Sequence, residues 1–251
     1  MALLGVFYPL AAAPTVLRAW RDFLTTAPEE LTVDVVLWTV PAEEPFPEAV
    51  HGEPYVGVMG VYVGPWEEAE ATVRPLRELA TPLADISGPI PYRGLQSMLD
   101  HHFPEGDRYY WTSLYLDELS DEAIDTVVEH ARSRPSPRTT VPIRSRGGAV
   151  TRVDGAATAF PNRHSPFLLS VDGTWSDPAD DETNVEWVRA FREAVEPYSA
   201  DQQYLNFSML ETGEAAVRAA YGDNYERLAA VKQRYDPENL FRRNANVRPA
   251  T

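Results

Sequence analysis

Apolar and polar positions along this chain follow two periods, one of about two residues and one of about 3.6, which alternate from the first residues onward. Gly5 to Leu10 is an apolar run of strand length. Residues 12–25 then place Val16, Trp20, Phe23 and Leu24 on one helical face. In Leu31 to Val40, Thr32 and Asp34 alternate with apolar neighbours before the run becomes continuously apolar, which predicts a second strand. Tyr55 to Val63 predicts a third, with Gly57 and Gly60 allowing a bend or a close backbone approach. Pro65 followed by Glu67, Glu68 and Glu70 is a favourable first turn for a helix running to Ala80.

Ser120 caps a further helix that Pro135 ends, and residues 180–195 carry Val185, Trp187, Val188 and Phe191 before Pro197 stops them. Between these helices, Arg108–Leu116, residues 139–153 and Pro166–Trp175 read as strands. Pro142 and the Gly147–Gly148 pair mark edges, bulges or turns. The strand intervals are uneven and no glycine-rich phosphate loop follows a strand, which weighs against a doubly wound nucleotide fold. The expected fold is α+β. A single domain over residues 1–251 would hold one antiparallel or mixed sheet of about six or seven strands, with helices covering one face.

Charge narrows the class of partner. The chain has 38 acidic against 22 basic residues, a net charge of −16, and Lys232 is its one lysine. Such an acidic chain repels nucleic acid phosphates. No apolar run has the length of a membrane span, and the N-terminal residues do not have the basic start of a signal peptide, so a cytoplasmic location is the expectation. With zero cysteines, disulfides and thiol chemistry are excluded.

The usual catalytic patterns are missing from the sequence. His51, His101, His102, His130 and His164 show no metal-ligand spacing, and His101–His102 reads as part of a solvated loop, so no metal is expected. There is no G-x-S-x-G elbow. Aromatic residues are more suggestive. Strand alternation in Arg108–Leu116 puts Tyr109, Trp111, Ser113 and Tyr115 on one face and Tyr110, Thr112 and Leu114 on the other. A sheet face rich in Tyr and Trp can wall a ring-shaped ligand, though packing in the core explains any single ring as well. Tyr110, Trp111 and Tyr115 are the substrate-binding candidates. In residues 203–207, QYLNF, the same alternation sends Tyr204 and Asn206 the same way, a phenol beside a carboxamide.

Residues 221–247 add a specific pattern: Tyr221–Gly222, then Asn224–Tyr225–Glu226–Arg227–Leu228, Val231–Lys232, and Tyr235–Asp236–Pro237–Glu238–Asn239–Leu240–Phe241. This closely resembles the C-terminal signature of the berberine-bridge-like FAD-linked oxidases, here residues 204–247. The QYLNF segment is similar to that family's Tyr-x-Asn-Tyr strand. Weaker likeness extends through the Arg108 region, the Gly147–Gly148 turn and the N-terminal strand. Residues 224–235 have helical spacing, Asp236–Pro237 ends the helix, and a strand-like segment follows, so the tail also makes structural sense alone.

The resemblance implies FAD as cofactor and hydride transfer from an alcohol, sugar or secondary-metabolite ring. By carry-over, Tyr204 is the catalytic base, Asn206 a flavin or substrate contact, and Asn239 a residue near the cofactor or one that fixes the tail's turn. An ordinary phenol, with a pKa near 10, needs tuning or coupled hydride loss to serve as base at neutral pH. The departures are Phe207 in place of the second tyrosine, and Asn244–Ala245–Asn246–Val247 in place of Asn-Gln-Asn-Ile. The glycine-rich pyrophosphate loops of the family, and its histidine or cysteine that tethers FAD, have no counterpart in this sequence. The expected partners are therefore a small-molecule substrate and either a separate flavin-binding half or a second copy of the chain. The alternative is a stand-alone small-molecule-binding module without redox activity.

Overall fold

The structure is a computed structural model that describes residues 1–200, 202, 204–207, 213–243 and 245–250. Gln203 and Asn244, which belong to the motifs read above, lie outside the described residues. Eight strands form one antiparallel sheet: β1 (Ala2–Pro9), β2 (Leu31–Thr39), β3 (Pro54–Tyr62), β4 (Ala84–Asp85), β5 (Gly88–Pro89), β6 (Arg108–Leu116), β7 (Val141–Ser145) and β8 (Phe167–Trp175). Their order is β4-β1-β3-β2-β7-β8-β6, with β5 also paired to β1. The α+β architecture and the covering of one face by helices are as the periodicity predicts. Two strands of two residues each raise the count to eight, and segments that short carry no periodic signal.

The helices are α1 (Ala13–Leu24), α2 (Trp66–Arg77), α3 (Tyr92–Ser97), α4 (Asp121–Arg132), α5 (Ala149–Arg152), α6 (Asp181–Val195), α7 (Glu214–Tyr221) and α8 (Tyr225–Tyr235). Apolar stripes of α1, α2, α4 and α6 meet one face of the sheet, where Val6, Val35, Val58, Ile143 and Leu169 point inward from successive strands. Trp20 is fully buried there. Its Nε1 donates to Val33 O at 3.1 Å and its ring lies against Phe167. Ser120 accepts from the Ala123 N–H and starts α4, as its residue type predicts. No helix among the described residues is long and apolar enough to cross a membrane.

The opposite face carries a smaller cluster around Phe7, Val40 and Tyr55. Beyond the sheet, α7 and α8 pack on each other through Val217, Tyr225 and Ala229, with Leu205, Ala245 and Val247 against them.

Three local expectations are corrected. Residues 205–207 form a 3-10 turn and not a strand, because the backbone of Tyr204 bonds to a side chain and not to a ladder. Within 139–153 only β7 is a strand; Gly148, at φ +58°, then turns the chain into α5. The stretch after Asp236 is irregular, and its hydrogen bonds go to side chains and turns.

Replacing Trp20 removes the largest fully buried side chain and an indole hydrogen bond together. Trp20→Ala is expected to lower unfolding free energy by about 3–5 kcal/mol. Urea titration followed by circular dichroism measures this, and a loss below about 1 kcal/mol would contradict the packing described.

Candidate functional site

The site grows from β6. Its alternation sends Tyr109, Trp111, Ser113 and Tyr115 to the face away from the main helical layer. Tyr109 and Trp111 meet edge to face at 5.8 Å. Tyr110 points the other way, toward α6, where Arg189 Nε donates to its hydroxyl at 3.1 Å and the guanidinium lies over its ring. Of the three residues expected to bind substrate, the structure thus brings Trp111 and Tyr115 to one face and Tyr110 to the other.

Tyr204 lies over this face. The Ser113 hydroxyl accepts from the Tyr204 N–H at 3.1 Å and donates to the Tyr204 carbonyl at 3.2 Å. Just before that clasp in the chain, Ala200 N donates to Tyr115 O and Tyr115 N donates to Gln202 O. The 3-10 turn that follows keeps the expected pair together, since Asn206 Nδ2 donates to Tyr204 Oη at 2.8 Å. Asn206 itself is exposed. Trp111, Phe207, Tyr204 and Phe160 form a row of rings, each edge-on to the next at 6.4, 5.1 and 6.1 Å. A cavity of about 270 Å³ opens beside the row, lined by Tyr115, Phe160, Asn162, Tyr204, Asn206 and Tyr221 among others.

Two arginines lie along the row. Arg144 stacks on the Phe207 ring at 4.7 Å. Arg146 lies over the rings of Tyr115 and Phe160 at 4.8 and 5.3 Å. Burial brings the Arg146 guanidinium below its ordinary pKa, with the phenols of Tyr115 and Tyr204 acting on it in the opposite sense. The Tyr115 phenol is pushed up to about 12, chiefly by burial, and stays neutral. Arg146 also holds the loop that walls the cavity, donating to Asn162 Oδ1, Asn162 O and Ser165 O. Asn162 in turn donates to Gln202 Oε1 at 2.7 Å. From the other side, Asn224 Nδ2 donates to the carbonyls of Gly155 and Thr158, and Arg227 to that of Ala156.

Arg146, Asn162 and Phe160 were not singled out from the sequence, because no local pattern marks them. The arginine just before the Gly147–Gly148 turn was the one available hint. Asn239 belongs to the turn after α8, where it adopts φ +51°, a left-handed conformation that asparagine tolerates better than most residues. It is not part of the cavity lining, and its buried Oδ1 has no hydrogen-bond partner among the described residues.

Beneath the ring row, the sheet face is charged. Asp172, directly opposite Trp111 across β6 and β8, is buried, and burial raises its pKa to about 6. Asp34, which accepts from the Ser145 N–H at 2.8 Å, is raised to about 6 by the same cause. Arg144 acts electrostatically on both. Among the described residues, the buried indole N–H of Trp111 has no partner, nor has one buried carboxyl oxygen of Asp172. A larger cleft of about 770 Å³ lies between the end of α1 and the loops after β6 and β7, and neither Tyr204, Asn206 nor Trp111 lines it. Tyr204 and Asn206 line the smaller cavity.

The arrangement sets a phenol and a carboxamide beside a row of rings on an antiparallel sheet. Residues 203–248 match the family described as "Berberine and berberine like". The chain is 25% identical over 238 residues to an uncharacterised FAD-linked oxidoreductase, YgaK, of Bacillus subtilis, covering 93% of this chain and 49% of that protein. It is 32% identical over 126 residues to aclacinomycin-N/aclacinomycin-A oxidase of Streptomyces galilaeus, covering 43% and 23%. Among solved structures, the carbohydrate oxidase from Microdochium nivale, in complex with a substrate analogue, shares the fold with a TM-score of 0.75 at 22% identity. That match covers all of this chain and 55% of the other. The chain is therefore a relative of the berberine-bridge-like FAD-linked oxidases, and it spans about half the length of the YgaK relative.

The buried Asp172 generates a prediction. Its folded pKa of about 6 exceeds the unfolded value of about 3.9, so the stability tied to its protonated form is complete below about pH 4. That stability is lost as pH rises through about 6. Asp172→Asn removes the titration, so wild-type stability relative to the variant should fall by roughly 2–3 kcal/mol across this window. Asp34 titrates in both proteins and cancels in the difference. Urea midpoints at successive pH values measure the effect, and parallel profiles would refute it.

Proposed function

We propose that this chain forms the substrate-facing part of an FAD-dependent oxidase that acts on a hydroxyl-bearing small molecule, a sugar or a hydroxylated secondary metabolite. One observation carries the reading. Ser113 clasps the Tyr204 backbone, Asn206 donates to the Tyr204 phenol, and both Tyr204 and Asn206 line a cavity that Tyr115, Phe160 and Tyr221 also line. The names of two relatives, an aclacinomycin oxidase and a carbohydrate oxidase, support the substrate class.

The residues fit the ring end of a flavin. The aromatic row offers a flat apolar edge, Asn206 an exposed amide, and Asn239 a buried acceptor without a partner. Asn206 and Asn239 are the contacts proposed for FAD, with pyrophosphate-binding loops supplied from outside these residues, by a separate flavin-binding half or by a second copy of the chain. When bound, the flavin would accept the hydride equivalent. The chain's own residues would handle the proton. As phenolate, Tyr204 Oη takes it from the substrate hydroxyl and becomes the neutral phenol, Asn206 Nδ2 keeps that oxygen aimed at the cavity, and the Arg146 charge attracts the phenolate that begins the step. Trp111, Tyr115, Phe160 and Phe207 would shield the reacting hydroxyl from water. Tyr110, turned toward α6, would act only by packing.

The second reading, a binding module without redox activity, rests on the same aromatic cavity. Anaerobic bleaching of the visible flavin band by a panel of sugars and hydroxylated ring compounds separates the two, measured on FAD-loaded protein containing this chain. Tyr204→Phe is expected to slow bleaching by about 10²–10⁴-fold with substrate affinity little changed. An unaltered rate removes Tyr204 from the chemistry. A panel compound that binds without bleaching favours the module.

A further inference from the structure

At the far end of the same sheet face, two loops distant in sequence converge on one point. Glu43 lies in the connection between β2 and β3, and His101 and His102 lie in a 3-10 turn (Asp100–His102) before β6. His101 Nε2 is 3.0 Å from both carboxylate oxygens of Glu43, and His102 Nε2 is 3.1 Å from one of them. One atom from each of the three residues falls within 4.8 Å of the others. Adjacent side chains on a strand would diverge. Here the tight turn lets both imidazoles converge on one carboxylate, their rings 4.1 Å apart.

We propose that Glu43, His101 and His102 form a binding site for a divalent transition-metal ion of the zinc type. Two imidazoles and a carboxylate, with no thiolate, suit zinc and its neighbours better than magnesium or calcium, which prefer all-oxygen shells. With bonds of about 2.0–2.2 Å, tetrahedral ligand atoms lie roughly 3.3–3.6 Å apart. The nitrogen–oxygen separations need to open by only a few tenths of an ångström to admit the ion. Three protein ligands leave a fourth position for water.

The surroundings suit a fixed site. The His102 side chain is 12% exposed and meets the Trp38 ring edge to face at 4.8 Å, which sets its orientation. The His101 side chain is 57% exposed and leaves a path to solvent. Bound metal would clip the β2–β3 connection to the turn before β6. The next residue, Phe103, packs edge-on against Trp111 at 5.9 Å, so the clip would also brace one end of the ring row. The proposal does not depend on the oxidase reading.

The test is calorimetric titration of chelator-treated, desalted chain with Zn²⁺, in excess Mg²⁺ to occupy the acidic surface. One equivalent should bind, and at a hundredfold excess over Kd the melting temperature should rise by roughly 5–10 °C. Glu43→Gln and His102→Ala should each weaken binding about tenfold or more, and His164→Ala, on an exposed loop, should not. Should the half-buried His102 variant misfold, the exposed His101→Gln must show the same loss. Co²⁺ in place of Zn²⁺ should give visible absorption that these variants abolish. Failure to bind one equivalent, or binding that survives all three ligand variants, overturns the site.

Discussion

One hydroxyl, that of Ser113, satisfies both backbone groups of Tyr204, and the candidate site depends on that clasp. β6 lies at the end of the strand order, so the chain that runs past it meets a row of backbone groups open to pairing. Ala200 and Gln202 use two of them through Tyr115. At Tyr204 the side chain of Ser113 takes over, the strand register ends, and the chain turns at 205–207. Because Trp111, Ser113 and Tyr115 share a face of β6, the clasp places the phenol directly over the aromatic wall. A serine two positions from a tryptophan and two from a tyrosine thus locates the site.

The charge beneath that wall needs its own explanation. A carboxylate buried without a close partner is costly. Asp34 and Asp172 resolve this by taking up protons near pH 6, and by sharing the field of Arg144, which is itself stacked on Phe207. The Arg144 cation therefore couples the titration of the sheet face to the ring that borders Tyr204. Titration near neutrality is a feature that functional sites share with structural ion networks.

Periodicity was enough to place the long strands, the four packing helices and the two faces of β6, because burial on one side forces those patterns into the residues themselves. It did not show which side of β6 would matter for Tyr110, although the alternation already contained the answer. It misread residues 205–207 as strand because the competing partner, the Ser113 hydroxyl, is ninety residues away in sequence, roughly the separation that local rules cannot reach. Arg146, Asn162 and the Glu43–His101–His102 cluster were hidden for the same reason. Each is made by contact between loops whose composition alone says only that they are polar.

The segment that most clearly marks the family owes much of its pattern to local structure. Lys232 bonds to the Asp236 carboxylate and to the Phe241 carbonyl. Asp236 accepts the N–H groups of Leu240 and Phe241, and the bond to Lys232 holds its carboxyl below the usual carboxylate range. Asn239 supplies the left-handed residue of the turn. Together these build the end of α8, while Asn224 and Arg227 at its start hold the 155–158 loop that brings Phe160 to the cavity. Lys232, Asp236 and Asn239 are accounted for by that turn, with the Asn239 oxygen left over. Tyr204 and Asn206 are not: their side chains bond to each other at the cavity mouth, and the hydrogen bonds that fix this stretch to the sheet come from the Tyr204 backbone. The Tyr204 ring packs in the aromatic row, while its hydroxyl and the Asn206 amide turn to each other beside the cavity, and this polar pair is the part of the segment on which the proposed ligand reading rests.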